Sequence, residues 1–103
     1  MEKVGMDKKY ELTDETIEFD GYTLHRIKAS RDFGDVHAGD LGGWVESEEN
    51  LSHEGTCWVY GHARVYDDAQ VHGHARVFGD ARVYGHALVH GHARVSGCED
   101  VIS

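Results

Sequence analysis

Nine histidines, two cysteines and nineteen carboxylates are the residues of this 103-residue chain that could do chemistry. Cys57 and Cys98 stand in neither a CxxC nor a paired-ligand spacing, so they indicate neither a zinc site nor a disulfide scaffold. Ser96 and Cys98 are possible nucleophiles, but the spacing assigns no base and no orienting residue to either. The sequence therefore predicts no catalytic residue.

The elements that position these groups follow from a six-residue repeat that begins at Val59. Valine recurs at every sixth residue up to Val101, and alanine stands two places before most of these valines. Small or aliphatic residues at odd positions alternate with polar or aromatic residues at even ones, which is a strand pattern. A helix is excluded because this alternation would scatter valine around its whole circumference. An unbroken period of six is typical of a parallel β-helix.

Three hexads make one coil of such a helix, so residues 18 apart are expected to stack at about 4.8 Å. Each buried valine is worth roughly 1.5 to 3 kcal/mol, so the interior is expected to be the main favourable contribution to folding. The predicted interior columns are Val59, Val77 and Val95, then Val65, Val83 and Val101, then Val71 and Val89.

The same register predicts ladders of outward side chains. His72 is expected to stack on His90 and His74 on His92, and the predicted aromatic ladders are Tyr60 on Phe78 and Tyr66 on Tyr84. A histidine ladder lacks the third or fourth ligand that a closed metal site needs. No metal ion and no cofactor are predicted.

The first half of the chain is interpreted as a cap. Asp20 and Gly21 separate two strand-like runs, residues 16–19 and 22–27, which predicts a β-hairpin. Trp44 and Trp58 are expected in the core of this cap. Residues 1–58 are thus predicted to form an N-terminal β cap continuous with a hexapeptide-repeat β-helix over 59–103, in one compact domain.

The run RDFGDVHAGDLGGWVESEENLSHEGTCWVYGHARV, residues 31–65, carries a family resemblance. Its distinctive parts are residues 42–45 (GGWV), 50–52 (NLS) and 57–59 (CWV). It resembles the entry segment of YdcK-like hexapeptide-repeat proteins, small left-handed β-helix proteins of bacteria and mobile genetic elements. The resemblance implies an all-β fold, a short left-handed parallel β-helix with an N-terminal β-hairpin cap. It implies no activity.

Charge gives the leading functional hypothesis. Residues 1–58 hold 14 acidic and 6 basic side chains, and the whole chain carries a net charge of −9. This balance disfavours high-affinity binding to nucleic acid and favours a non-enzymatic protein-binding module for a basic host protein. Its size and charge are similar to those of anti-CRISPR-like inhibitors, which block nucleic-acid-guided nucleases. The predicted partner-binding residues are Asp14, Glu15, Glu18, Asp20, Glu46, Glu48 and Glu49.

Three alternatives remain open: the charges only keep the domain soluble, the chain is a structural oligomerising module, or it is a hexapeptide acyltransferase-type enzyme. Val101 and Ile102 leave an open strand edge, which predicts a homo-oligomer formed there. No apolar run approaches the roughly 20 residues of a membrane span, and the first residues lack a signal-peptide core. A cytoplasmic protein without membrane contact is therefore predicted.

Overall fold

The computed structural model describes residues 8–97 and 100–102. That part of the chain contains no helix that could cross a membrane. Cys98, considered above as a nucleophile, lies outside the described residues. The strands are β1 Tyr10–Phe19, β2 Tyr22–Ala29, β3 Leu41–Val45, β4 Trp58–Val59, β5 Arg64–Val65, β6 Gln70–Val71, β7 Arg76–Val77, β8 Arg82–Tyr84, β9 Leu88–Val89, β10 Arg94–Val95 and β11 Asp100–Ile102, with a 3-10 turn at Glu48–Asn50.

Strands β1 and β2 form the predicted antiparallel hairpin. Asp20 and Gly21 make its two-residue turn with φ of 56° and 85°, the conformation that this pair of residues adopts readily. β1 starts well before the predicted run 16–19. A register shift between Leu12 and Thr16 breaks the alternation there, and this irregularity hid the first part of the strand from a period-two analysis.

The second half of the chain winds into stacked coils with the predicted register of 18 residues. Strands β4, β7 and β10 pair in parallel, as do β5, β8 and β11, and β6 pairs with β9. Val77 thus lies opposite both Val59 and Val95. The parallel β-helix prediction is confirmed, whereas the left-handed winding implied by the resemblance stays a prediction. The buried column residues are Val59, Val65, Val71, Val77, Val83, Val89 and Val95, each at most 7% exposed.

Parallel stacking begins upstream of the six-residue repeat. Val45 pairs with Val65 and Leu51 forms a bridge to Val71, both at an offset of 20 rather than 18. β3 and Leu51 therefore supply the first two sides of a coil that β4 completes. The offset is larger by two because the connection over residues 52–57 is two residues longer than its equivalents in the repeat. The cap thus contributes the first of about three coils.

Two glycines allow β3 to lie directly on the next coil. A Cβ atom on Gly42 would stand 2.6 Å from the carbonyl oxygen of Val59, and one on Gly43 would stand 2.6 Å from that of Ala63. No side chain fits in this space, which explains the residue pair that precedes Trp44.

The hairpin extends one side of the solenoid into a six-stranded sheet, ordered β1-β2-β3-β5-β8-β11. On the outer face of this sheet Leu24, Trp44 and Tyr66 form a second apolar cluster. Tyr66 stacks on Tyr84 as predicted, with ring centroids 5.2 Å apart, but the hairpin covers the pair so that Tyr66 is only 1% exposed. The hairpin thus shields one face of the solenoid from solvent.

Aromatic rings and one buried lysine close the first coil. Trp58 is 1% exposed and meets Tyr10 and Phe33 edge-on, so the prediction that it lies in the core is confirmed, as it is for Trp44. Lys9 Nζ donates a 2.7 Å hydrogen bond to the carbonyl oxygen of Cys57 and lies 4.8 Å from the Phe33 ring centroid. Burial lowers the pKa of the Lys9 ammonium group.

Candidate protein-binding surface

The predicted acidic residues on the hairpin lie along β1. Asp14 and Glu15 occupy the irregular stretch of this strand, where Glu15 forms a 3.4 Å ion pair with Arg26. Glu18 is exposed and its carboxylate accepts a 2.7 Å hydrogen bond from the Thr23 hydroxyl. These three carboxylates are spread along an exposed strand rather than gathered in one place.

A denser group surrounds the Tyr22 hydroxyl. The Asp67 carboxylate is the largest cause that raises the Tyr22 pKa, and Glu46 and Asp20 raise it further. Glu46 also accepts a 2.8 Å hydrogen bond from the backbone N–H of Asp67. The fold therefore brings the predicted residue Glu46 beside an aspartate from the repeat, and the predicted residue Asp20 near enough to Tyr22 to raise its pKa.

A shallow groove continues this acidic surface. Glu49, Asp67 and Asp68 contribute to its lining, together with His86, whose Nδ1 is 3.7 Å from an Asp68 carboxylate oxygen. Four of these carboxylate residues are exposed, namely Asp20, Glu49, Asp67 and Asp68, and Glu46 is half-buried. We call Asp20, Glu46, Glu49, Asp67 and Asp68 the acidic corner.

Asn50 fixes the backbone of the acidic corner. Its buried side-chain oxygen accepts hydrogen bonds from the N–H groups of Glu46 and Ser47 at 3.0 and 2.9 Å. Its amide nitrogen donates to the carbonyl oxygens of Asp67 and Ala69 at 3.2 and 2.9 Å. One side chain therefore joins the 3-10 turn to the next coil and sets where the carboxylates lie.

Sequence reasoning missed Asp67 and Asp68, because it sought the acidic surface in the cap. The available signal was a departure from the repeat: the hexad VYDDAQ carries two aspartates where VYGHAR has glycine and histidine. Asp67 also takes the positive φ of the turn, 62°, which the other turns of the repeat assign to glycine. Aspartate and asparagine tolerate this conformation better than most residues.

Glu48 is predicted as a partner-binding residue but is engaged within the chain. It forms a 3.2 Å ion pair with Lys8 and a 2.9 Å hydrogen bond with His53 Nε2. His53 Nδ1 accepts a hydrogen bond from the backbone N–H of Lys9 at 3.0 Å. The ring proton is therefore on Nε2, which donates a hydrogen bond to the Glu48 carboxylate. Both ring nitrogens are occupied, so His53 has no free nitrogen to accept a substrate proton.

Comparison with known proteins identifies the repeat. The family model for the YdcK beta solenoid repeat matches residues 59–73 and 75–91. The chain therefore carries YdcK-like solenoid repeats. It is 43% identical over 61 residues to a protein of Escherichia coli (strain K12) named "Uncharacterized acetyltransferase YdcK". That match covers 52% of this chain and 19% of the relative, so it spans about a fifth of the relative's length.

The outward histidines of the YdcK-like repeats form the predicted ladders. The rings of His72 and His90 stack at 5.3 Å, and those of His74 and His92 at 5.1 Å. Among residues 8–97 and 100–102, the structure brings together no three His, Cys, Asp or Glu side chains that could hold a metal ion.

The last strand of the YdcK-like solenoid holds the predicted oligomer interface. β11 pairs in parallel with β8, and Val101 lies opposite Val83. Val101 is half-buried, and the side chain of Ile102 lies outside the described part of the structure. Self-association through this edge stays a prediction, and light scattering tests it: a mass that is monomeric and independent of concentration would contradict it.

Proposed function

We propose that this protein is a binding module, without catalytic activity, whose acidic corner docks a basic face of another protein. The observation that carries the proposal is the convergence of carboxylates from four separate segments: the hairpin turn, the end of β3, the 3-10 turn and the loop after β5. The Asn50 hydrogen bonds hold three of these segments in place. A rigid acidic surface on a chain of net charge −9 would speed encounter with a positively charged partner.

The proposed partner is a protein that handles nucleic acid. A groove lined with lysine and arginine for phosphate accepts carboxylates as well, because both groups are anionic acceptors of the same hydrogen bonds. The most specific form of the proposal is an anti-CRISPR-like inhibitor that occupies such a groove in a nucleic-acid-guided nuclease. The acidic corner is the reason to expect a positively charged partner. The size and net charge of the chain are the reason to compare it with anti-CRISPR-like inhibitors.

The experiment is affinity capture from host lysate with a matched pair of triple variants. The first variant neutralises the corner with Asp20→Asn, Asp67→Asn and Asp68→Asn, changes that suit the positive φ of residues 20 and 67. The control neutralises three carboxylates on β1 with Asp14→Asn, Glu15→Gln and Glu18→Gln. Both variants change the net charge by the same amount.

The expected result is one basic protein that the parent chain and the control retain and the corner variant loses. Its retention should weaken steeply with salt, because exposed charges are screened within about 10 Å at 0.1 M. Equal loss in both variants would show that net charge alone is at work. A retained partner that is not basic, or whose binding is insensitive to salt, would contradict the proposal.

An acetyltransferase activity is the second candidate, and the printed name of the Escherichia coli relative is the observation that favours it. The test is turnover of acetyl-coenzyme A with amine and hydroxyl acceptors, measured against a blank without protein. Turnover by the purified chain would replace the binding-module proposal with an enzymatic one, and absence of turnover with every acceptor would remove this candidate.

A further inference from the structure

A basic groove lies at a different turn of the coil from the acidic corner. It is lined by Thr56, His74, Arg76, His92 and Arg94, all of which can donate hydrogen bonds and none of which is a carboxylate. Thr56 Oγ1 is 2.7 Å from His74 Nδ1, so this imidazole is held in a fixed orientation. Such a concentration of hydrogen-bond donors and arginines, on a chain with a net charge of −9, indicates a binding site for an anion.

The other arginine ladder of the solenoid shows how such a pair is accommodated within the chain. Arg64 and Arg82 lie opposite each other in parallel strands, at the same repeat position as Arg76 and Arg94. Asp100 accepts two hydrogen bonds from Arg82, at 2.9 and 2.7 Å. The Arg64 guanidinium lies over the Phe19 ring at 4.3 Å. Each of these arginines thus has an anion or an aromatic ring.

Among the described residues, the pair in the basic groove has no equivalent anion. The one ion-pair contact of Arg76 in this part of the chain is a long one, 3.9 Å to Asp35, and no described carboxylate lies within ion-pair distance of Arg94. Like charges at directly opposite positions destabilise paired strands. A bound anion would relieve this repulsion and accept bidentate hydrogen bonds from the guanidinium groups.

An aromatic platform adjoins the two arginines. A second groove is lined by Tyr60, Phe78 and Asp35 and shares Arg76 and Arg94 with the basic groove. The Tyr60 and Phe78 rings are perpendicular, with centroids 6.4 Å apart. The site therefore combines cationic donors on one side with an apolar surface on the other, which suits a ligand that carries both an anionic group and a flat ring.

We propose that Arg76, Arg94, His74 and His92 bind the phosphate of a phosphate monoester that carries an aromatic ring, and that this ring packs on Tyr60 and Phe78. A phosphate dianion matches two fixed cations and several donors better than a carboxylate, which carries a single charge. The ring accounts for the platform beside the guanidinium groups. This site is separate from the acidic corner, and the two can be tested independently.

Calorimetric titration in phosphate-free buffer of low ionic strength compares three probes. Phenyl phosphate represents aryl phosphates, adenosine 5′-monophosphate represents nucleotides, and inorganic phosphate lacks a ring. We expect at least one ring-bearing probe to bind about tenfold more tightly than inorganic phosphate, which corresponds to about 1.4 kcal/mol. The ring-bearing probe that binds more tightly shows whether the ligand is an aryl phosphate or a nucleotide.

Three variants test the assignment of residues. Arg94→Gln should weaken binding about tenfold because it removes a charge-assisted hydrogen bond. Asp35→Asn should tighten binding, since it removes the anion that competes for Arg76 while it keeps an acceptor for the Tyr60 hydroxyl. Arg82→Gln is the matched control, from the other arginine ladder, and should leave the affinity for the probe within about twofold of that of the parent.

Each other outcome overturns the proposal. Equal affinity for all three probes would remove the role of the aromatic platform, and absence of binding by any probe would remove the site. An Arg94→Gln variant that keeps its affinity, or an Arg82→Gln variant that loses as much, would show that the basic groove is not the place of binding. Unchanged amide NMR spectra of the free variants would establish that they remain folded.

Discussion

Asn50 and Lys9 are the buried polar or charged residues of the described chain, and both serve the irregular first coil. Asn50 makes four side-chain hydrogen bonds to backbone groups, and Lys9 donates to the carbonyl oxygens of Gly55 and Cys57. Buried polar groups destabilise a fold unless they are bonded in this way. At the residue scale, these side chains replace the strand pairing that the longer first coil cannot make.

Substitution of Gly55 tests how closely the first coil approaches the second. Its φ is +73°, and a Cβ atom would meet the carbonyl oxygen of Gly73, which accepts hydrogen bonds from two N–H groups. Gly61 has a similar φ of +61° with open space around its Cβ position. Gly61→Ala should therefore cost about 1–2 kcal/mol of unfolding free energy for the backbone alone.

Gly55→Ala should cost about 1–3 kcal/mol more than that control because the backbone must shift. Urea denaturation measures both values. Equal losses in the two variants would show that the coils are not in contact at Gly55.

Glu48 provides a pH-dependent contribution to stability. The hydrogen bond from His53 is the largest cause that holds the pKa of Glu48 below its ordinary value of 4.5, and Lys8 lowers it further. A group with a lowered folded-state pKa stabilises the fold above its unfolded pKa, and this stabilisation is lost as the pH falls through the folded value. Glu48→Gln should therefore be less stable than the parent at pH 7, with a difference that shrinks below about pH 4.5.

Urea denaturation over a pH series measures this difference, and Glu49→Gln is the control on the same turn. Glu49 accepts no side-chain hydrogen bond from the described residues, unlike Glu48. A Glu48→Gln difference that stays constant from pH 7 to pH 3 would contradict the account.

At the element scale, two-residue strands are stable only because each is stacked. β4, β7 and β10 contain two residues each, and their inward valines form one column in which Val77 has a neighbour on both sides. Isolated strands of this length bury too little apolar surface to form alone. The stability of each side of the coil is therefore expected to depend on its position in the stack.

Val77→Ala should lower the unfolding free energy by about 2 kcal/mol, because it leaves a cavity between two filled levels. Val95→Ala, in the same column with a valine neighbour on one side, should cost less because the surrounding residues can relax. Thermal or urea unfolding compares the two variants. A larger loss for Val95→Ala would contradict the proposed order of the column.

At the scale of the whole molecule, the regular part of the architecture was predictable and the irregular part was not. The period of six gives the columns and ladders from Val59 onward, and Asp20 and Gly21 give the hairpin. The coil through β3 escaped prediction because leucine replaces valine at residue 51 and the following connection is longer. The acidic corner was predicted in part, since Asp67 and Asp68 lie in the repeat and join the cap carboxylates only in three dimensions.

The register of the stacked coils determines where the acidic corner and the basic groove lie, because it determines which side chains meet at each turn of the coil. Amide and Hα contacts in a NOESY spectrum of labelled protein measure this register directly. The account predicts contacts between residues 18 apart, such as Arg76 and Arg94, and 20 apart between Trp44 and Arg64. Contacts in which the two residue numbers add to a constant, as in antiparallel hairpins over residues 59–97, would contradict it.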